Sequence, residues 1–276
     1  MRVVKGATVQ VLTDPYDATP SAPVAVAVTA AGTTLSPAPA TSVSGDRVAV
    51  TLTAATHTAN LDRLTVTVTA TVATVPSVQV FTVDVVGSHY VTRAGLRTEA
   101  NLADESRYPD PLLDDTRDAF EEYVEEYCGV AWVPSYGVEH HVGNGRSVLA
   151  LDHVEPTAIR RVVVDGVVEN PARFQIVGRH LVEWLDSSFD LDAPVEIHVE
   201  HGETRPPTRL RALVAREIRA DLLSRSANAP TQLLSETVEG VTVRYSTPDY
   251  LANRPTGSLQ LDAALNAYRR PRAGLG

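Results

Sequence analysis

Between Asp110 and Gly129 the chain reads DPLLDDTRDAFEEYVEEYCG, and no other stretch constrains its folding so tightly. Asp110 suits an N-cap, Pro111 suits the first helical position where no N–H is needed, and Gly129 suits a left-handed stop. A helix is therefore predicted over 111–128. At 100° per residue Leu112, Leu113, Ala119, Phe120, Tyr123, Val124 and Tyr127 fall within an arc of roughly 140°, with Asp114, Asp118, Glu121, Glu122, Glu125 and Glu126 opposite. The pattern predicts one face in a core and one acidic face outside it.

Upstream, residues 1–87 alternate with period two, as in Val24–Val28, Val48–Leu52, Leu64–Val68 and Val78–Val83, with Pro, Gly, Ser and Asp between the runs. Short strands of this kind predict an antiparallel β-sandwich of immunoglobulin-like type. Alternation stops at Val86-Gly87-Ser88, where helical spacing begins, so a first domain is expected over 1–87 and a second over 88–276. In the second, helices are expected at about 92–101, 111–128, 207–226 and 261–268. A β insertion is expected over about 136–201, where Asp165-Gly166 between valine pairs signals a hairpin, and a further hairpin over about 235–245. The fold class is thus α+β with two domains. The helix over 207–226 carries an apolar ridge of Leu210, Val214, Ile218 and Leu222.

Charge is distributed unevenly. The net formal charge is −10, which disfavours a surface built to grip nucleic acid. Eleven acids between Glu99 and Glu126 face only Arg107 and Arg117, a local net of −9. Between Arg209 and Arg225 five arginines face Glu217 and Asp221, a net of +3. The two long helices therefore have opposite sign.

The residues argue against an enzyme. Cys128 is the single cysteine, which leaves no intramolecular disulfide and no cysteine zinc site; a small buried group at the helix end is its expected role. Adjacent His140 and His141, and His198 and His201 three apart, point to opposite faces on strands, so neither pair alone can chelate an ion and no metal or other cofactor is expected. There is no G-x-S-x-G nucleophile turn. Gly143-Asn144-Gly145-Arg146 lacks the ending of a phosphate loop and reads as a hairpin turn. No catalytic residue is assigned. No apolar run is long enough for a membrane span and no signal segment opens the chain, so the expectation is a protein made and kept in the cytoplasm until something assembles it, with no membrane partner.

The helix over 92–101, the joint L-x-D-x-x-x-Y-P-D (Leu102, Asp104, Tyr108, Pro109, Asp110), the long helix and the exit Y-C-G-x-A-W-V-P together resemble head-to-tail connector (adaptor) proteins of long-tailed bacteriophages, in the version found in actinobacterial phages and prophages. The resemblance runs from about Gly87 to the C-terminus, and residues 1–87 match only an optional extra domain of that family. It implies a structural virion protein of the head-tail neck. Its implied partners are copies of itself in a ring, of dodecameric order, the portal protein, a stopper or tail-side neck protein, and double-stranded DNA passing through the lumen without sequence-specific binding.

On this reading a subunit interface is expected from Glu121, Glu122 and Glu125 against Arg209, Arg216 and Arg219, with charge complementarity fixing register. A portal contact is expected from Leu261, Leu265 and Tyr268, followed by Arg269, Arg270 and Arg272. The alternative from a different class is a β-rich surface protein that binds carbohydrate or protein through its sandwich.

Overall fold

The computed structural model describes residues 1–98, 102–153, 155–226, 235–238, 241–244 and 259–270. By internal contacts the chain divides into two compact units, one of Met1–His89 with Ala131–Arg205 and the other of Tyr90–Val130 with Pro206–Gly276. The first break falls two residues past Gly87. The β insertion is grouped with the N-terminal strands, not with the helices that flank it in sequence.

The first unit holds two β bodies. In the N-terminal body, β1 (Arg2–Val4), β3 (Pro20–Ala30), β4 (Thr33–Thr34), β7 (Asp62–Val72) and β8 (Val75–Val86) form a sheet of order β1-β8-β7-β3-β4. Strands β2 (Val9–Leu12), β5 (Ala40–Ser44) and β6 (Arg47–Leu52) form a second sheet of order β2-β6-β5. All four predicted runs are strands. Their alternation works as expected: Leu64, Val66, Val68 and Ala70 of β7 point inward and share one core with Val28, Val83, Val48, Val50 and Leu52. Strand β1 pairs with β8 in parallel, so the first strand closes an edge that the last strand would leave open.

The insertion carries β9 (Ser135–Val142), β10 (Val148–Ala150), β11 (Pro156–Val164), β12 (Val167–Glu169), β13 (Phe174–Val177), β14 (Leu181–Trp184) and β15 (Pro194–His201). They form sheets of order β12-β11-β15-β9 and β10-β14-β13. Asp165-Gly166 joins β11 to β12 as the sequence predicts, with Val164 opposite Val167. Phe174, Trp184 and Phe189 meet with ring centroids 5.1–6.1 Å apart at the centre of this core. Asn144 closes the 143–146 loop, its side-chain oxygen accepting the Arg146 N–H at 2.9 Å, so the segment is a turn and not a phosphate cradle. Within this unit β9 also lies beside β7 and β8, and Arg160 donates to the Leu61 carbonyl at 3.2 Å.

The second unit contains α1 (Arg93–Thr98), α2 (Asp110–Cys128), α3 (Thr208–Ser226) and α4 (Leu259–Tyr268), with a hairpin of β16 (Ser235–Val238) and β17 (Val241–Arg244). Helices α2, α3 and α4 each contact the other two, and α1 lies on α2. The predicted α3 ridge is fully internal: Leu210, Val214 and Ile218 are 0% exposed and Leu222 is 1%. Cys128 is buried, as expected for a small group at the helix end.

Both ends of α2 are instructive. Gly129 stops the helix in the left-handed region at φ 66°, its N–H donating to Glu125 at 2.8 Å, the conformation that glycine adopts without steric penalty. Arg270 donates its backbone N–H to the Cys128 carbonyl at 2.9 Å, satisfying an acceptor that a helix end leaves open. At the other end Asp110 is not the cap. Pro109 holds that position in extended conformation with no side-chain cap bond, and Asp110 lies inside the first turn, where two arginines of α1 draw its carboxylate away from the helix N–H groups.

Candidate functional site

The helices of the second unit are set on one another by the joint that leads into α2. The joint that leads into α2 explains its own sequence. Leu102 and Tyr108 are buried to 0% and 1% exposure. Between them the Asp104 carboxylate accepts the backbone N–H groups of Ser106 and Arg107 at 2.9 and 3.2 Å. That turn aims Tyr108 inward and delivers Pro109 to the helix start. On the other side Thr92 caps α1, its Oγ1 accepting the Gly95 N–H at 3.0 Å.

Arginines of α1 then clasp the acidic start of α2. Arg97 donates to Asp110 at 2.6 Å and to the Leu102 carbonyl at 3.0 Å. Arg93 reaches Asp110 at 2.8 Å and also binds Asp114. The Arg97 guanidinium, with Arg93 behind it, holds the Asp110 carboxyl below its usual range. Arg117 of α2 itself is 4% exposed and bridges Asp114 at 3.0 Å and Asp118 at 2.9 Å. Much of the acidic charge that looked available to a neighbouring subunit is therefore paired locally.

The buried stripe of α2 is correspondingly not the apolar arc. It runs Leu113, Arg117, Glu121, Val124 and Cys128, while Ala119 is exposed and Phe120, Tyr123 and Tyr127 are half-buried. Glu121 is 0% exposed, and its carboxylate accepts the Tyr90 backbone N–H at 2.7 Å. One turn on, Glu125 accepts the Tyr90 hydroxyl at 3.1 Å. Of the three acids expected at a subunit interface, Glu121 is thus internal and corrects that expectation: a buried carboxylate that satisfies a buried N–H cannot also face a neighbour. Glu125 is half-buried and Glu122 is exposed, as is Glu126 one turn further on. On α3, Arg209 and Arg216 are exposed and Arg219 is partly so. Arg216 bonds Gln260 of α4 at 2.6 Å and Glu217 at 3.0 Å.

The expected portal contact is also redistributed. Leu261 and Leu265 are each 0% exposed and belong to this chain's own helical core, because α4 lies on both α2 and α3. They do not form an outward apolar strip. Tyr268 and Arg270 are half-buried and Arg269 is exposed, its guanidinium 5.4 Å from the centre of the Tyr127 ring. Tyr127 in turn donates to Asn266 at 2.7 Å, so α4 is fastened to the end of α2. Arg272 lies outside the described residues, as does the bend of the 235–245 hairpin.

No protein family's sequence profile matches the chain, and no curated protein matches it. Among solved structures, a chain from the neck of an empty gene transfer agent particle with C6 symmetry is similar at 16% identity and a TM-score of 0.45, covering 66% of this chain and 91% of that one. A chain from the virion of a native gene transfer agent particle is similar at 16% identity and a TM-score of 0.40, covering 61% of this chain and 81% of that one.

Proposed function

We propose that the chain is a structural subunit of a phage-type neck: a head-to-tail connector that forms a ring on the portal and extends the DNA channel toward the stopper and tail. The observation that carries this reading is the helical unit itself. The residues of the connector-like motif, Leu102, Asp104, Tyr108, Pro109 and Asp110, each serve to set α2 on α1, and the helices bracket a β insertion in chain order. The chemistry of such a protein is surface matching, and no residue is assigned a catalytic role. A net charge of −10 suits a conduit along which a polyanion slides without being held.

Within this proposal the inter-subunit charge match is made by Glu122, with Glu125 beside it, against Arg209, Arg216 and Arg219. The portal is engaged by Arg269 and the chain that follows, including Arg272. Residues 1–87 form a peripheral immunoglobulin-like domain, as in the actinobacterial version of these proteins, and a dodecameric ring is the expected assembly. The experiment is native mass spectrometry of the purified full chain mixed with isolated portal rings. Addition of a fixed multiple of the chain's mass to the portal supports the reading, and free monomer beside unaltered portal at all ratios contradicts it.

A further inference from the structure

One polar cluster lies at the edge of the β insertion. On β9, Gly137, Glu139 and His141 alternate onto the inner face of the sheet, opposite Val199, Ile197 and Val195 of β15. Apolar burial continues on the β15 side, yet Glu139 is only 3% exposed on its own strand. A carboxylate in such a place needs partners, and it has four. Oε2 accepts from His141 Nε2 at 2.5 Å and from the Asp152 backbone N–H at 2.8 Å. Oε1 accepts from His153 Nδ1 at 2.6 Å and from the His153 backbone N–H at 2.9 Å.

Space for this arrangement is made by the absence of a side chain at residue 137. A Cβ there would come within 2.7 Å of His153 Cε1, 2.9 Å of His153 Nε2 and 3.1 Å of His201 Nε2. The two imidazoles lie against each other with ring centroids 3.9 Å apart, and His201 is 6% exposed. Burial opposes ionisation of Glu139, but the bonds from His141, His153 and the two N–H groups outweigh it and hold the carboxyl well below its usual range.

We propose that Glu139, His141 and Asp152 form a binding site for a divalent first-row transition metal such as zinc. Each offers one ligand atom, and the three atoms lie within 4.8 Å of one another; tetrahedral zinc sets its ligands about 3.4 Å apart, so small side-chain rotations close the set. One imidazole with two carboxylates is a donor set that zinc accepts, and a water completes the fourth position. Binding replaces the hydrogen bond between His141 and Glu139: the His141 Nε2–H that donates to Oε2 gives its proton to solvent and its lone pair to the ion, while His153 keeps its Nδ1–H on Oε1. His153 acts from the second shell, fixing the carboxylate so that Oε2 faces His141, an arrangement that raises metal affinity. Asp152 is exposed and the His153 side chain is 34% exposed, which leaves an entry path from solvent. The ion would tie the loop after β10 to the edge strand β9, so its effect is to stiffen the insertion.

The test is isothermal titration of zinc chloride into the tag-free, chelator-stripped full chain, with thermal melting and the visible spectrum of the cobalt form as second readouts. The expected result is one zinc per chain, a raised melting temperature and a cobalt spectrum of low-coordinate nitrogen and oxygen ligation. Asp152→Asn, at an exposed position that should not disturb folding, should weaken binding by at least the roughly 10–100-fold that losing an outer-shell partner costs, and His141→Gln should weaken it at least as much. His180→Gln, at an exposed histidine outside the cluster, should leave it unchanged. Absence of stoichiometric binding in the wild type overturns the proposal, as does binding that survives both Asp152→Asn and His141→Gln.

Discussion

Replacing Glu121 and Glu122 separately with Ala distinguishes two neighbours that sequence pattern treats alike. Glu121 is fully buried and accepts the Tyr90 N–H at 2.7 Å; Glu122 is exposed. Truncating Glu121 leaves a buried donor without that acceptor and removes a hydrogen bond to a charged group, a loss of about 2 kcal/mol. For a chain of this length that corresponds to a fall in melting temperature of roughly 4–8 °C. Glu122→Ala should stay within about 0.5 kcal/mol of wild type. The assay is thermal melting followed by circular dichroism, together with hydrogen exchange at the Tyr90 amide, which should lose protection in Glu121→Ala alone. Equal melting temperatures for the two variants, or an unchanged Tyr90 exchange rate, would refute the assignment of Glu121 to the interior.

Leu261→Ala and Leu265→Ala should each destabilise the chain by about 2–5 kcal/mol as core truncations, read by denaturant unfolding; a neutral effect would return these residues to the surface. Reversing the exposed acid of the charge match with Glu122→Lys should leave the circular dichroism spectrum intact while reducing the ring population in native mass spectra, and undiminished rings would remove the charge match from the assembly account. His57 supplies a pH dependence: burial pushes its pKa down, and its Nδ1 accepts the Thr53 N–H at 3.1 Å, a role only the neutral ring can fill. Its contribution to stability is therefore complete above the unfolded value of about 6.5 and is lost as pH falls below it. His57→Gln should flatten the decline of unfolding free energy between pH 7 and pH 5, and an unaltered slope would show that the decline comes from other groups.

Local signals were legible where the determinant is local. Pro111 and Gly129 bound α2 within a residue, the α3 ridge reads directly from Leu210, Val214, Ile218 and Leu222, and the valine alternation of residues 1–87 places its strands. The face that α2 buries was not legible, because its acids find partners far along the chain. Glu121 meets the Tyr90 amide 31 residues away, and Asp110 meets Arg97 across the 102–109 joint. Periodicity assigns acids to solvent, whereas a carboxylate that satisfies a buried N–H belongs inside. The apolar strip of Leu261 and Leu265 was real, but its partners are α2 and α3 of the same chain, and amphipathicity does not distinguish an internal partner from an external one.

The Glu139 cluster escaped for a related reason. His140 and His141 do diverge on β9, as strand geometry requires. The relevant spacing is instead Glu139 with His141, two apart on one face, joined by Asp152 and His153 from the loop beyond β10. Gly137 was the available clue, since a glycine inside a strand often marks a close approach by another group.

The connector account is tested most directly by electron-microscopy class averages of the full chain mixed with isolated portal rings. It predicts a second ring, coaxial with the portal at its tail-side mouth and open along the axis. Portals that remain bare at saturating chain concentration, or density bound off-axis at the portal's periphery, would contradict it.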